Sequence, residues 1–386
     1  MEYFLTEPQK TIKNLARRIA EERILPVRAE LDEKEQFPWD IMKDLAKSDM
    51  FRVFVPEQYE GLGGGCLDLC LVVEELSRVC SGVAVSYAAS GLGSFSLLEY
   101  GSAEQKRKYL PAIASGARLA AFALTEPTAG SDASAIRTTA EKTPGGYVLN
   151  GTKQFITNGG EAEIYTVIAL TDKTKGARGA SAFLVEKDTP GFSFGKKEKK
   201  MGIRASSTRE LVFRNCTIPT ENIIGREGLG FIMTMRILDR SRPGIAAQAV
   251  GIAQGALEAA VDYARQRVQF GHPIIAQPVV QNMLADMAIQ VEAARALTYA
   301  AARMIDGGAK KFTEESAMSK VFASDMAMKV TTDAVQVFGG AGYMRDYPVE
   351  KMMRDAKITQ IYEGTNEVLR SAIAAGLRKR KGRTRD

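Results

Sequence analysis

Apolar residues recur at helical spacing from Pro8 to about Ile24 (Ile12, Leu15, Ala16, Ile19) on a charged background, which predicts a helix with one face on a core. Residues 67–79 and 104–113 repeat the pattern, with Pro111 leaving the end of the second open. Near Ala121 the texture changes. Residues 147–149, 155–157, 165–170, 181–185 and 210–213 are short β-branched or aromatic runs. They are parted by Pro144-Gly145-Gly146, Asn150-Gly151, Asn158-Gly159-Gly160 and Pro190-Gly191. Strands at this spacing predict a small antiparallel barrel or sandwich. Beyond Gly228, residues 245–268, 283–305, 313–338 and 349–375 read as four long helices with short connections, an antiparallel bundle. The expected fold is therefore α+β: an N-terminal α-helical domain (1–120), a middle β-barrel or sandwich domain (121–228), and a C-terminal four-helix bundle with a basic tail (229–386).

The 386 residues are 45% hydrophobic and 25% charged, a mix that excludes a disordered or collagenous chain. The net charge of +6 invites a nucleic-acid or membrane partner. Most of it lies in residues 378–386, RKRKGRTRD, whose six basic and one acidic side chains leave the rest of the chain at +1. A solvated terminus is the plain reading. A nucleic-acid-binding helical protein would need aromatics interleaved with the basic residues, and this tail has none. The four cysteines form no CxxC pair and His272 is the one histidine, so no metal site is expected. Free thiols suit a reducing cytosol, and the opening MEYFLTEPQK has no apolar signal core, so a cytoplasmic, prokaryotic location is expected. Residues 79–98 are uncharged over a membrane-like length. Their many Ser and Gly residues predict a buried helix and loop, with no membrane span.

Four segments are unusual for packing alone. ALTEPTAGSD (123–132) joins a sharp turn, a glycine and several hydroxyls, which lets a ligand approach backbone donors. FITNGG (155–160) sets an aromatic beside a hydroxyl. QVFGGAGY (336–343) has phosphate-loop glycines but neither the GxGxxG order nor a preceding strand, and a glycine helix stop explains it equally well. IYEGTNE (361–367) places Glu363 between an aromatic and a glycine, where burial would raise its pKa and make it a base; a solvated surface residue is the alternative.

Together, and in this order over essentially the whole chain, these segments resemble the acyl-CoA dehydrogenase family of flavoproteins. ALTEPTAGSDASA matches one signature. Gln336, Gly339-Gly340-Ala341-Gly342-Tyr343, Asp346, Lys351 and Asp355 match a second, and IYEGTNE follows. The resemblance implies a homotetramer with FAD between the β domain and the bundle. Phe122, Leu124, Thr125, Gly130, Ser131, Phe155, Ile156 and Thr157 would hold the flavin ring. Arg267, Gln269, Phe270, Gln336, Gly339 and Gly340 would reach FAD of a neighbouring subunit, while Thr365 and Glu367 would contact the adenosine diphosphate part of FAD.

Ser131, Asp239, Arg242, Tyr362 and Gly364 would contact the acyl-CoA substrate. Glu363 would abstract the α proton while flavin N5 accepts the β hydride, giving a 2-enoyl-CoA and passing electrons to electron-transfer flavoprotein. The developing enolate would be stabilised by the Glu363 backbone N–H and the flavin ribityl hydroxyl. An enoyl-CoA reductase would run the same chemistry in reverse. Some branched-chain relatives place the base at the position of Ser241, which cannot serve as one. Relatives acting on glutaryl-CoA have an arginine where Ala84 stands. Residues 86–95 would line the acyl cavity, their small side chains leaving space for a branched or alicyclic group. Phe155 stands where many relatives have Trp, and Pro278 where Gln is usual, with Gln277 as its substitute.

Overall fold

The computed structural model describes residues 3–379; most of the basic tail lies outside the described residues. The N-terminal domain holds α1 (Glu7–Ile19), α2 (Arg28–Glu33), α3 (Trp39–Lys47), α4 (Cys66–Val79), α5 (Ser81–Tyr100) and α6 (Ala103–Ala114). Helix starts are written in the sequence: Thr6 with Gln9, and Ser102 with Gln105, form reciprocal capping boxes at α1 and α6. Of the expected helix-and-loop of residues 79–98, Val79 ends α4, Cys80 is an extended break, and the rest is one buried helix, α5. Part of its polarity is absorbed within the helix, since Ser86 donates to Gly82 O (3.0 Å) and Ser94 to Gly91 O (2.7 Å), and part by neighbours, since Ser90 accepts from Ala120 N.

The middle domain is one eight-stranded sheet. Its strands are β1 (Ala120–Ala123), β2 (Thr139–Thr143), β3 (Gly146–Thr157), β4 (Ile164–Leu170), β5 (Ala180–Glu186), β6 (Phe192–Lys197), β7 (Thr208–Pro219) and β8 (Ile223–Ile224). They run in the order β6-β7-β3-β2-β4-β5-β8, with β1 beside β4. Two expectations are corrected. The sheet is mixed, since β1 and β2 both pair parallel to β4. Asn150-Gly151 is no turn: β3 runs through it with a register shift against β7, a bulge that bends the strand without ending it. A second shift falls between Lys153 and Ile156, where Phe155 adopts φ +58°. That kink turns the Phe155 side chain out of the sheet's packing.

The C-terminal domain holds α7 (Gly230–Gln266), a short hairpin of β9 (Val268–Gln269) and β10 (His272–Pro273), α8 (Pro278–Asp306), α9 (Thr313–Phe338), α10 (Pro348–Thr359) and α11 (Asn366–Lys379). Helix α7 begins well before the expected 245 because Pro243 does not stop it. Proline removes the N–H that would bond the carbonyl four residues back, and here that carbonyl, of Asp239, accepts from the Ser316 hydroxyl on α9. The expected fourth helix is broken into α10 and α11, and Glu363 sits in the break. One core unites the N-terminal helices with the sheet, and a second, rich in alanine, fills the bundle. By length and composition α7 could cross a membrane, but 72% of its most apolar window is buried inside the protein.

Candidate active site

A cavity of about 250 Å³ opens where α5, the β1 and β3 ends, α7 and the α10–α11 break meet. It gathers many of the predicted residues: Phe122, Leu124, Thr125, Gly130, Ser131, Phe155, Ile156 and Thr157 from the sheet side, and Arg242, Tyr362, Glu363 and Gly364 from the bundle side. The sheet-side wall suits a flat ring with polar edges. Phe155 keeps 57% of its surface exposed there, the hydroxyls of Thr125, Ser131 and Thr157 border it, and a Cβ on Gly130 would meet nothing within 4 Å. These residues fit FAD.

This wall is tied together from behind. Lys153, fully buried on β3, donates to Leu124 O (2.9 Å) and to Glu126 Oε1 (2.8 Å). Glu126 also accepts from the N–H groups of Arg137 (2.6 Å) and Thr138 (3.0 Å). One buried ion pair thus locks the 124–131 turn to the strand that carries Phe155. The loss of hydration on burial is outweighed by these partners, and the Glu126 carboxyl is held below the ordinary carboxylate range.

Glu363 occupies the opposite wall. Its backbone is left-handed (φ +53°) and Gly364 follows at φ +94°, a turn that ends α10's approach and aims the carboxylate inward. Ser241 on α7 hydrogen-bonds to Glu363 Oε2, and Arg242 Nε donates to the Glu363 carbonyl at 3.2 Å. Burial pushes the Glu363 carboxyl above its usual range, while the Ser241 bond and the charges of Arg242 and Lys320 oppose that rise. The Tyr362 hydroxyl is anchored to Gln248, which donates to Ser81 at 2.6 Å.

Sequence reasoning missed Lys320. From α9 its ammonium donates to Gly364 O (2.8 Å) and Asn366 Oδ1 (2.9 Å), clamping the loop just after the base. Asn366 in turn bonds Ser324 and Asp325, and Gln360 donates to Asp325 at 2.6 Å. Both ends of the helix break are therefore pinned to α9. The signal was present: Lys320 is the one charged residue on a helix face otherwise made of Ser316, Ala317, Ala323, Ser324 and Ala327. Burial draws its pKa down to about 8, with Glu363 resisting. Replacing it with Met is expected to lower kcat by about tenfold through misplacement of Glu363. Steady-state kinetics beside a melting curve would check this, and an unchanged kcat would refute the clamp.

Other expectations are relocated. Asp239 does not line the cavity; its carboxylate is held by Arg242 and Thr313, so it braces Arg242. Of residues 86–95, Ala88, Ala89, Leu92 and Phe95 line the cavity, joined by Val85, Leu69, Met235 and Leu238. The glycines serve the other face of α5: a Cβ on Gly93 would lie 2.5 Å from Ala121 N, and one on Gly82 2.9 Å from the Ala205 side chain. Gly82 and Gly93 therefore admit the sheet domain, and the small residues on the cavity side are Ala88 and Ala89. Ala84 is buried away from the cavity.

Arg267, Gln269, Phe270, Gln277, Gln336, Gly339, Gly340, Thr365 and Glu367 lie outside the cavity. Phe270 is 90% exposed on the β9–β10 hairpin, Gln336 to Gly340 close α9, and Thr365 Oγ1 accepts from Val368 N at the start of α11. Gln277 caps α8.

Three family models match the chain: acyl-CoA dehydrogenase N-terminal domain over residues 6–117, middle domain over 121–216, and C-terminal domain over 228–378. A butyryl-CoA dehydrogenase structure from Megasphaera elsdenii is 47% identical, with a TM-score of 0.96, covering 98% of this chain and 100% of that one. A chain in the structural work on the electron transferring flavoprotein of Acidaminococcus fermentans is 48% identical, with a TM-score of 0.96 and the same coverage. An acryloyl-CoA reductase (NADH) from Anaerotignum propionicum is 47% identical over 98% of this chain and 97% of its own.

Proposed function

The chain belongs to the acyl-CoA dehydrogenase family, and from that premise we propose that it desaturates a short, straight-chain acyl-CoA to the 2-enoyl-CoA, with Glu363 as the base. FAD, when bound, supplies the acceptor for the β hydride. The chain's own residues do the rest. The Glu363 carboxylate takes the α proton. Arg242 and Lys320 hold its loop from two helices, and the apolar wall of Val85, Leu92, Phe95 and Leu238 excludes water, which strengthens every charge–dipole contact inside. The observation that carries this reading is that a half-buried carboxylate, its pKa pushed up by desolvation, faces the same cavity as the Phe155 and Ser131 wall.

A short acyl chain is supported by the butyryl-CoA dehydrogenase relative, with Leu69, Met235 and Phe95 among the apolar residues that would bound it. Electron-transfer flavoprotein is the proposed acceptor, supported by the Acidaminococcus fermentans structure. A homotetramer is supported by the apolar residues left exposed on the bundle, among them Phe270, Val279, Ile289 and Tyr343. A cytoplasmic location is supported by four buried free thiols.

Anaerobic addition of butyryl-CoA to the purified holoenzyme is expected to bleach the flavin absorbance. Octanoyl-CoA should do so less completely and isobutyryl-CoA least. A preparation that stays colourless after incubation with FAD would end the proposal. The acryloyl-CoA reductase relative favours a second reading, reduction of an enoyl-CoA by the same residues. NADH-dependent loss of acryloyl-CoA, exceeding butyryl-CoA oxidation, would select it.

A further inference from the structure

The hydroxyl of Ser241 contacts the base yet takes no part in the proton transfer itself. Ser241 lies on α7, directly before Arg242, and its hydroxyl has two acceptors in reach: Glu363 Oε2, and Leu238 O three residues back on its own helix at 3.1 Å. A serine hydroxyl carries one proton, so it donates to one of these at a time. The two acceptors are unequal in a way that depends on Glu363. An ionised carboxylate is the stronger acceptor and draws the proton. A protonated carboxyl has an O–H to place, and the serine oxygen can accept it only when the serine's own proton points elsewhere. The helix offers that elsewhere, since bonding to a carbonyl in the preceding turn is an ordinary resting state for serine in a helix.

We propose that Ser241 is a positioning residue that follows the proton on Glu363. It donates to the carboxylate before the α proton is taken, then turns to Leu238 O and accepts from the Glu363 carboxyl afterwards. Its own proton never leaves it. In the proton transfer the substrate Cα–H breaks and the Glu363 O–H forms, the β hydride leaving for the acceptor that FAD would supply, and Ser241 exchanges only hydrogen bonds. The hydroxyl thereby keeps Glu363 in one place through both charge states, in a cavity wall otherwise supplied by Leu238, Tyr362 and Val368.

The charged groups acting on Glu363 come from each element packed against it: Arg242 on α7, which is itself paired with Asp239, and Lys320 on α9. Both cations act whether or not position 241 has a hydroxyl. The contribution of Ser241 is therefore separable from theirs, and a conservative substitution can remove it without altering any charge. The inference rests on the reading of Glu363 as the base.

The test is a pair of variants in the FAD-loaded enzyme, Ser241→Ala and Ser241→Thr, followed by two readouts. The first is the infrared carbonyl band of the Glu363 carboxyl, identified by its loss in Glu363→Gln and titrated against pH without substrate. The second is the acid limb of kcat/KM for butyryl-CoA. Losing a donor to a charged acceptor raises the carboxyl's pKa, so Ser241→Ala should move both midpoints up by about one pH unit, a tenfold change in the protonation equilibrium. Ser241→Thr, which keeps the hydroxyl, should titrate like the unaltered enzyme. An alanine variant that titrates like the unaltered enzyme overturns the proposal, as does a threonine variant that titrates like alanine. Full turnover by Glu363→Gln would instead remove Glu363 as the base, while the infrared titration would still decide whether Ser241 bonds it.

Discussion

Replacing Glu363 with Gln is expected to lower kcat by about 10²- to 10⁴-fold, the usual contribution of a positioned general base. The amide has nearly the same shape, so the left-handed turn at residues 363 and 364 and the Arg242 and Lys320 contacts to the backbone remain. FAD content and colour should be unchanged, and bleaching by butyryl-CoA should slow by that factor in a rapid-mixing experiment. The pH dependence follows from the same group. A base works only when ionised, and burial raises the Glu363 pKa, so the unaltered enzyme should gain rate as pH rises through that shifted value. The glutamine variant should lose that acid limb. A variant that bleaches at the normal rate would move the base elsewhere in the cavity.

The second large effect is on stability. Lys153→Met removes one partner of a buried ion pair whose side chains are 0% and 4% exposed, leaving the Glu126 charge with two backbone N–H groups and no cation. Breaking such a pair from one side typically costs about 3–5 kcal/mol, more than exposed pairs such as Lys43–Asp40 could matter. Urea unfolding of the two proteins should show that difference, and FAD should be lost more readily on gel filtration, because the 124–131 turn is no longer fixed to β3. Adding Glu126→Gln should recover part of the loss by removing the orphaned charge. Equal unfolding midpoints for Lys153→Met and the parent would mean that the pair does not hold the wall.

What the sequence made legible was local. Short strands and the signature turns depend on near neighbours, so the amino-acid pattern alone places Thr125 in a turn and Phe155 in a strand run, whereas Glu363 fell inside an expected helix. What escaped depends on distant partners. Whether 349–375 is one helix or two is decided by Lys320 and Asp325, which hold the break from another helix. Whether Asn150-Gly151 ends a strand is decided by β7, which pairs on both sides of it. Where α7 begins is decided in the same way, since Pro243 forfeits a helical bond and Ser316, far along the chain, satisfies the carbonyl that this frees. The role of Ser241 was invisible for the same reason, its partner lying 122 residues away.

The two faces of α5 carry separate duties. One, with Gly82 and Gly93, seats the helix against the sheet domain so closely that even a methyl group would collide. The other, with Val85, Ala88, Leu92 and Phe95, bounds the acyl space. Because the two sets of positions lie on different sides of one helix, substrate range can be redesigned at the second set while the joint between domains keeps its fit. Ala88 and Leu92, one helical turn apart, are the natural places to lengthen or shorten the accepted chain. The same helix would resist that treatment at any position where a glycine faces the sheet.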